Sequence, residues 1–182
     1  PGYTNISQKI DLDDTYFGEG LTVVNDKIYQ LTWKENTVFV YDKNTFKKLD
    51  SYHLDGEGWG VCSHKNNLIV SNGSNKLQFF DSNDFHKVKD DLPVTYNGKE
   101  LKGLNELECV NNKIYANVLG DNNIYRIDST TGEVDLVVNT NKIDKSDYKN
   151  PNDVLNGIAH VPDSDDLIVT GKNWHSLYKI RI

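Results

Sequence analysis

Short apolar runs alternate with polar turns along most of the chain. Val38–Asp42 and Leu77–Asp81 are examples: both are rich in Val, Phe, Tyr or Leu and are bounded by Asn, Asp, Lys and Ser. Runs of this length and composition, separated by such residues, are typical of β-strands. Only Asn141–Lys149 is predicted to form one or two turns of helix. The pattern therefore predicts an all-β protein.

The strand pattern also repeats. Its four copies begin with Glu19, Trp59, Asn105 and Asn156, so successive copies start 40, 46 and 51 residues apart. Each copy predicts three strands joined by tight turns, with a fourth strand after them. Four-stranded repeats of about this length are typical of a β-propeller. An up-and-down barrel or a sandwich would not repeat the pattern of a whole sheet.

We interpret residues 1–182 as one propeller domain. The predicted ranges are 17–56, 57–102, 103–153 and 154–182 for four blades, with 1–16 as the remnant of a first blade. Asn5–Leu12 is predicted to be one outer strand of that blade, whose inner strands are expected to be missing from this chain. Because the chain starts at Pro1 without Met, we expect a processed or trimmed product. The longer loops at Thr95–Gly103 and Thr140–Val154 are expected to build a rim around a ligand mouth.

The repeat predicts a site at one end of the propeller axis. The first residues of the four copies lie at the start of the innermost strands and should converge there. An antiparallel hairpin brings the end of its second strand back beside the start of its first. A second ring should therefore surround the first one, and it consists of Trp33, Gly73, Leu119 and Lys172.

These two rings combine a carboxylate, an ammonium group, two carboxamides and two indoles. Phe17, Glu57 and Trp174 lie near them in the sequence and can add to the walls. Polar groups that converge in an aromatic cup are typical of a small-molecule site. Each residue taken alone has a structural alternative, such as a turn glycine, a packing tryptophan or a loop-fixing asparagine. Packing gives no reason, however, to place Glu, Trp, Asn and Asn at one repeat position.

Composition excludes several classes of function. The net charge of −7 and the pI near 5.2 leave no basic surface for nucleic acid, and acidic membranes are not an expected partner. Cys62 and Cys109 are interpreted as free thiols that lie buried or half-buried in strands. The five histidines fall at unrelated repeat positions, so neither a histidine-based triad nor a metal site is expected.

Seven motifs in this order resemble the plant-type, zinc-independent glutaminyl cyclases of bacteria and plants. The matching segments are Tyr16–Thr22, Gln30–Trp33, Glu57–Gly60, Leu104–Glu108, Ala116–Val118, Asp153–Ala159 and Val169–Lys172 with Trp174. The resemblance covers the chain from about Asp13 onward. It implies a five-bladed propeller, whose first blade is incomplete here, and a glutaminyl-peptide cyclotransferase that needs no metal or organic cofactor. The implied substrate is a peptide or protein with an N-terminal glutamine.

The resemblance also implies residue roles. The catalytic glutamate, lysine and polarising asparagine of the family fall on Glu19, Lys172 and Asn105. The pocket aromatics fall on Phe17, Trp33 and Trp59, while Asn156 and Trp174 are further candidates for substrate binding. Two departures are that Leu119 stands where the family has a tryptophan and that a first-blade Phe-Thr-Gln-Gly-Leu motif is absent. The resemblance favours the secretory pathway or the extracellular space, and the sequence does not predict an oligomeric state.

Two other functions are compatible with the same residues. One is a calcium-dependent propeller hydrolase of the lactonase type, in which Glu19, Asn105 and Asn156 would bind the ion. Lys172 would oppose such a cation, and no further aspartate stands at the equivalent position. The other is a propeller that serves only for interaction, which would not require an acid and a base within one cup.

Overall fold

The computed structural model describes residues 6–143, 148 and 150–182, which form strands, turns and loops. The first sheet contains β1 (Gly18–Val24), β2 (Lys27–Thr32), β3 (Thr37–Asp42) and β4 (Lys48–His53). The second contains β5 (Val61–His64), β6 (Asn67–Val70), β7 (Lys76–Asp81) and β8 (Leu92–Pro93). A short hairpin of β9 (Thr95–Tyr96) and β10 (Lys99–Glu100) follows.

The third sheet contains β11 (Leu104–Val110), β12 (Lys113–Val118), β13 (Asn123–Asp128) and β14 (Val134–Asn139). The fourth contains β15 (Leu155–His160), β16 (Asp166–Gly171) and β17 (Tyr178–Arg181). Each sheet is an antiparallel meander in chain order, so each repeat of the sequence folds into one sheet. The fourth sheet has three strands within the described residues, where the repeat predicted a further strand in every copy.

The four sheets are arranged as the blades of a propeller. Their first strands contact one another in sequence, β1 with β5, β5 with β11 and β11 with β15. Apolar residues fill the spaces between neighbouring sheets, for example Leu31 with Val61 and Ile69 with Leu107. This burial of apolar side chains between sheets is the main stabilising contribution. The prediction of an all-β propeller is confirmed for these four blades.

A β-bulge interrupts the first strand of three blades. One additional residue is inserted between Gly18 and Leu21, between Leu104 and Leu107, and between Leu155 and Ile158. A bulge bends its strand and redirects the side chains that it carries. Glu19, Asn105 and Asn156 therefore lie at points where the inner strand departs from regular pairing.

The sequence prediction for Asn5–Leu12 was wrong for its described residues, because 6–12 are not part of any described strand. A strand needs a neighbour whose backbone it can pair with. Ile10 and Leu12 instead line a cavity beside Leu21 and Tyr41 of the first blade.

The prediction of free thiols was also wrong. Cys62 on β5 and Cys109 on β11 form a disulfide that links two neighbouring blades, with their Cα atoms 5.4 Å apart. The two cysteines are 47 residues apart in the chain, so only the side-by-side placement of the inner strands reveals that they can pair.

The predicted helix at Asn141–Lys149 lies partly outside the described residues, since 144–147 and 149 are not described. Residues 141–143 and 148 are not helical. In the described part of the chain, we find no helix with the length and apolar character needed to cross a membrane.

Candidate active site

A cavity of about 230 Å³ lies where the two predicted rings converge. The described residues that line it are Phe17, Glu19, Trp33, Trp59, Asn105, Leu119 and Lys172. Three of these come from the ring of inner-strand starts and three from the surrounding ring, as the repeat predicted. We refer to Phe17, Trp33 and Trp59 as the aromatic wall and to Glu19, Asn105 and Lys172 as the polar side.

Close backbone contacts between blades fix the inner-strand starts. Gly20 donates its N–H to the carbonyl oxygen of Trp59 over 2.9 Å. A Cβ atom at Gly20 would lie 2.8 Å from that same oxygen, and one at Gly60 would lie 2.1 Å from the carbonyl oxygen of Asn105. Only glycine allows such an approach, so glycine beside Glu19 and Trp59 brings the blades together at the site.

Asn105 is held mainly through its backbone. The hydroxyl of Ser71, which is fully buried, donates to the carbonyl oxygen of Asn105 over 2.5 Å and accepts from the N–H of Gly60 over 2.9 Å. Asn105 itself is only 4% exposed. One serine on the second blade therefore fixes the position of an amide that belongs to the third.

The two indoles of the aromatic wall share one hydrogen-bond acceptor. Oε2 of Glu57 accepts from Nε1 of Trp33 over 2.9 Å and from Nε1 of Trp59 over 2.8 Å. The Trp59 hydrogen bond is the largest of the effects that lower the pKa of the Glu57 carboxyl, and the Trp33 hydrogen bond and Lys34 lower it further, against partial burial. The sequence placed Glu57 near the walls but gave no sign of this bridging role.

Gly73 makes room for the Trp59 ring. It occupies the same repeat position as Trp33, Leu119 and Lys172, and it has a positive φ of 80°. A Cβ atom there would lie 2.6 Å from the Trp59 ring. The second blade therefore contributes no side chain from this position, and the indole of Trp59 occupies the space.

Phe17 completes the aromatic wall from the loop before β1. Its ring meets that of Trp33 edge to face with centroids 5.9 Å apart, and its N–H donates to Oε2 of Glu35 over 3.2 Å. Its carbonyl oxygen accepts from the N–H of Trp33 over 2.9 Å. The side chain is 59% exposed, so one end of the wall is open to solvent.

Lys172 and Trp174 follow β16 on the same turn, but only Lys172 reaches the cavity. The Trp174 ring stacks on Tyr148 at a centroid distance of 4.8 Å and covers Gly171. Its Nε1 donates to the carbonyl oxygen of Asp153 over 3.0 Å. The backbone N–H of Lys172 donates to Val154 over 2.9 Å. Trp174 is thus placed to hold the loop that carries Lys172.

Asn156 is not brought into the lining of the cavity among the described residues. It lies in the β15 bulge, next to Gly157, whose N–H donates to Oδ1 of Asn117 over 2.8 Å. The Oδ1 atom of Asn156 is buried and has no hydrogen-bond partner.

Several groups around Glu19 shift the pKa of its carboxyl group in opposite directions. Burial raises its pKa most, the ammonium group of Lys172 lowers it, and the carboxylates of Glu57 and Glu35 raise it. The net effect is a pKa above the usual value of 4.5. A carboxylate that is partly desolvated in this way is a stronger base than one in water.

Among the described residues, the side chains that could together bind a metal ion are not those that line this cavity. In the described part of the chain, the side chains close enough to share an ion are those of Asp81, Asp84 and His86, which lie at and after the end of β7. Their atoms already bond within the turn, including Oδ1 of Asp84 with the ring of His86.

Comparison with known proteins connects this site with one family. A family model described as glutamine cyclotransferase matches residues 2–182. A glutaminyl-peptide cyclotransferase of Arabidopsis thaliana is 38% identical over 175 residues, which are 94% of this chain and 54% of that protein. The chain therefore spans about half the length of that curated relative.

Solved structures agree with this result. The crystal structure of Myxococcus xanthus glutaminyl cyclase matches with a TM-score of 0.86 and 34% identity, over 91% of this chain and 72% of that one. The computationally designed Ika4 protein matches with a TM-score of 0.53 at 12% identity, over 97% of this chain and 99% of that protein. The latter likeness concerns the fold alone.

Proposed function

We propose that this chain, which belongs to the glutamine cyclotransferase family, converts the N-terminal glutamine of peptides or proteins to pyroglutamate and releases ammonia. The observation that carries the proposal is the cavity itself. It combines the Glu19 carboxylate, the Lys172 ammonium group and the Asn105 amide with three aromatic side chains in about 230 Å³. Neither a calcium-dependent hydrolase nor an interaction module calls for this combination.

The proposal includes a five-bladed propeller for the complete protein. The chain covers 54% of the Arabidopsis relative and 72% of the Myxococcus structure, which leaves room for a further blade in proteins of that length. Leu21 is 57% exposed and Val23 is 43% exposed, both on β1. A blade packed beside them would bury apolar surface that is otherwise in contact with water.

Substrate binding is assigned to the aromatic wall. The nucleophile of this reaction, the α-amine, is already joined to the carbonyl that it attacks, so the enzyme must mainly fold the glutamine side chain back on itself. Phe17, Trp33 and Trp59 form a surface that can hold the bent chain and exclude water. Leu119 also lines the cavity and is 49% exposed. We assign it a contact with the part of the peptide that extends out of the cavity, where it offers a smaller surface than a tryptophan would.

Proton transfer is assigned to Glu19. The carboxylate removes a proton from the α-ammonium group, and the free amine then attacks the side-chain carbonyl carbon. The new bond joins the α-nitrogen to that carbon, and the bond from the carbon to the amide nitrogen breaks. Glu19 returns this proton to the departing nitrogen, which leaves as ammonia, and the regenerated carboxylate takes the second proton that the α-nitrogen loses as it becomes an amide. That second proton passes to the released ammonia or to solvent, so the protons balance.

Stabilisation of the carbonyl oxygen is assigned to Lys172 and Asn105. Negative charge develops on this oxygen when the amine attacks, and donors that already face the cavity stabilise it without reorganisation. The buried backbone of Asn105 and its bond from Ser71 suit a donor that must not move. In this scheme Trp174 acts through the Lys172 loop.

The test is to incubate the protein with a peptide that begins with glutamine and to measure released ammonia and peptide mass. We expect equimolar ammonia and pyroglutamyl peptide. The same peptide with an acetylated N-terminus should give neither, because its nitrogen is no longer nucleophilic. Equal ammonia release from both peptides would indicate simple amide hydrolysis and would overturn the proposal. Chelation of metal ions should leave the rate unchanged, whereas a calcium-dependent hydrolase would lose activity.

A further inference from the structure

The third blade differs from the other three at one repeat position. The residue after the inner-strand start is Gly20, Gly60 and Gly157 in the first, second and fourth blades, but Glu106 in the third. In the first, third and fourth blades this residue is the second one of the bulge. At Gly20 and Gly60 the neighbouring blade leaves no space for a side chain. A glutamate at a position that otherwise requires glycine is not explained by packing.

The direction of the Glu106 side chain follows from the repeat. An added Cβ at Gly20 would meet Trp59 and Gly60, and one at Gly60 would meet Asn105 and Glu106. In both cases the added Cβ is directed at the backbone where the inner strand of the following blade starts. By the same geometry Glu106 is directed at the β15 bulge, which contains Asn156 and Gly157.

The β15 bulge contains an acceptor that lacks a donor. Oδ1 of Asn156 is buried and has no hydrogen-bond partner, although a buried oxygen without a partner is costly. An amide oxygen and an ionised carboxylate are both acceptors and cannot bond to each other. A protonated carboxyl group, in contrast, supplies one O–H donor.

We infer that Glu106 is a positioning residue whose carboxyl group carries a proton and donates it in a hydrogen bond to Oδ1 of Asn156. The bond would fix the Asn156 amide in one orientation and leave its NH₂ group available on the other side. The bond would also tie the third blade to the fourth at the level of the cavity, where glycine contacts join the earlier blades.

The charges around Glu106 favour the protonated form. Protein atoms surround the side chain densely although it keeps some solvent exposure, and this burial raises its pKa most. Glu108 on the same strand and Glu19 on β1 add to the increase, the backbone N–H of Leu107 opposes it, and the pKa reaches about 8. Glu108 in turn accepts from the backbone N–H of His160 on β15, so that neighbour is already paired.

The direct test is a carboxyl ¹³C NMR titration of the protein, with the Glu106 signal assigned by its loss in Glu106→Gln. We expect a midpoint at about pH 8 and a clearly lower midpoint in Asn156→Ala, where the proton has lost its acceptor. A midpoint near the usual 4.5 would overturn the inference. A high midpoint that Asn156→Ala does not move would overturn the pairing.

A crystal structure provides a second measurement that does not depend on any variant folding. A carboxyl oxygen of Glu106 should lie within about 2.5–2.8 Å of Oδ1 of Asn156. A clearly longer separation, with water between the two atoms, would overturn the inference. Neither this structure nor the titration requires turnover, so their outcome is separate from that of the proposed cyclase activity.

The effect on catalysis rests on the proposed function. Glu106→Gly installs the residue of the other blades and removes the donor, and we expect a loss of about tenfold in kcat/KM. Glu106→Gln keeps the shape and an N–H donor, so it should lose less and should lack the decline in rate that we expect for the unsubstituted protein above about pH 8. Equal losses in both variants, with unchanged pH profiles, would contradict a positioning role.

Discussion

The aromatic wall and the polar side of the cavity are held in place by different means. Trp33 and Trp59 depend on one partly exposed carboxylate, Glu57, and the Phe17 ring is largely open to solvent. Asn105 is buried and fixed by Ser71, and Glu19 precedes Gly20, whose close contact with Trp59 joins the first and second blades. The wall can therefore adapt to substrates, whereas the groups assigned to the chemistry are fixed by the backbone.

Apart from the loss of the base Glu19, the largest effect on catalysis is expected when the polar side loses the charge of Lys172. Lys172→Met removes the cation but keeps most of the side chain, and we expect kcat to fall by about 10²–10³-fold. KM should change by only a few fold, because the lost interaction strengthens as charge develops on the carbonyl oxygen. Steady-state kinetics on a glutaminyl peptide measure both constants. A change confined to KM would make Lys172 a binding residue.

A smaller effect is expected when the aromatic wall is loosened. Glu57→Ala removes the acceptor shared by two indoles, and we expect KM to rise by about tenfold while kcat stays within about threefold. Glu57→Gln is the matched control, since its amide oxygen can still accept. The contrast between wall and polar side would be lost if Glu57→Ala reduced kcat as strongly as Lys172→Met.

The pH dependence sharpens the same contrast. Glu19 must be ionised to accept a proton, so activity should fall as pH falls through its pKa, which burial raises above 4.5. Lys172 lowers that pKa, and Lys172→Met should therefore move the acidic limb of kcat to higher pH. Rate–pH profiles of both proteins test this. A limb that stays in place would mean that Glu19 and Lys172 are not coupled.

The smallest effect on catalysis is expected from the disulfide. Replacing Cys62 and Cys109 by serine should lower the free energy of unfolding by about 2–4 kcal/mol, because the crosslink restricts the unfolded chain. Activity well below the melting temperature should remain close to normal, since neither cysteine lines the cavity. Thermal unfolding with and without reductant measures the first effect. A large loss of activity in the folded variant would show that the inner strands shift without the link.

Much of this architecture could be predicted because the sequence repeats. A repeat position specifies a place in space, so the convergence of Glu19, Trp59 and Asn105, and of Lys172 beside them, followed from alignment of the copies. Disulfide pairing could not be predicted, because Cys62 and Cys109 come together only through the lateral contact of two inner strands. The shared acceptor Glu57 could not be predicted either, because it depends on the rotamers of two indoles.

Asn156 and Trp174 show the limits of predicting side-chain positions from repeat equivalence and from closeness in the sequence. Asn156 holds the same repeat position as Glu19. Its side-chain oxygen is buried in the β15 bulge, however, and Asn156 is not among the described residues that line the cavity. Trp174 was expected in the cavity because of its closeness to Lys172 in the sequence. The turn after β16 directs it to Tyr148 and Gly171 instead. Equivalence gives the backbone position, while local contacts decide where a side chain goes.

The central claim is that the carboxylate of Glu19 transfers the proton in cyclisation of an N-terminal glutamine. Glu19→Gln keeps the shape of the side chain and removes the base, so single-turnover mass spectrometry of a glutaminyl peptide tests the claim directly. We expect pyroglutamate formation to slow by about 10³-fold or more, with the fold and peptide binding retained. Near-normal pyroglutamate formation by a folded Glu19→Gln protein would contradict the account.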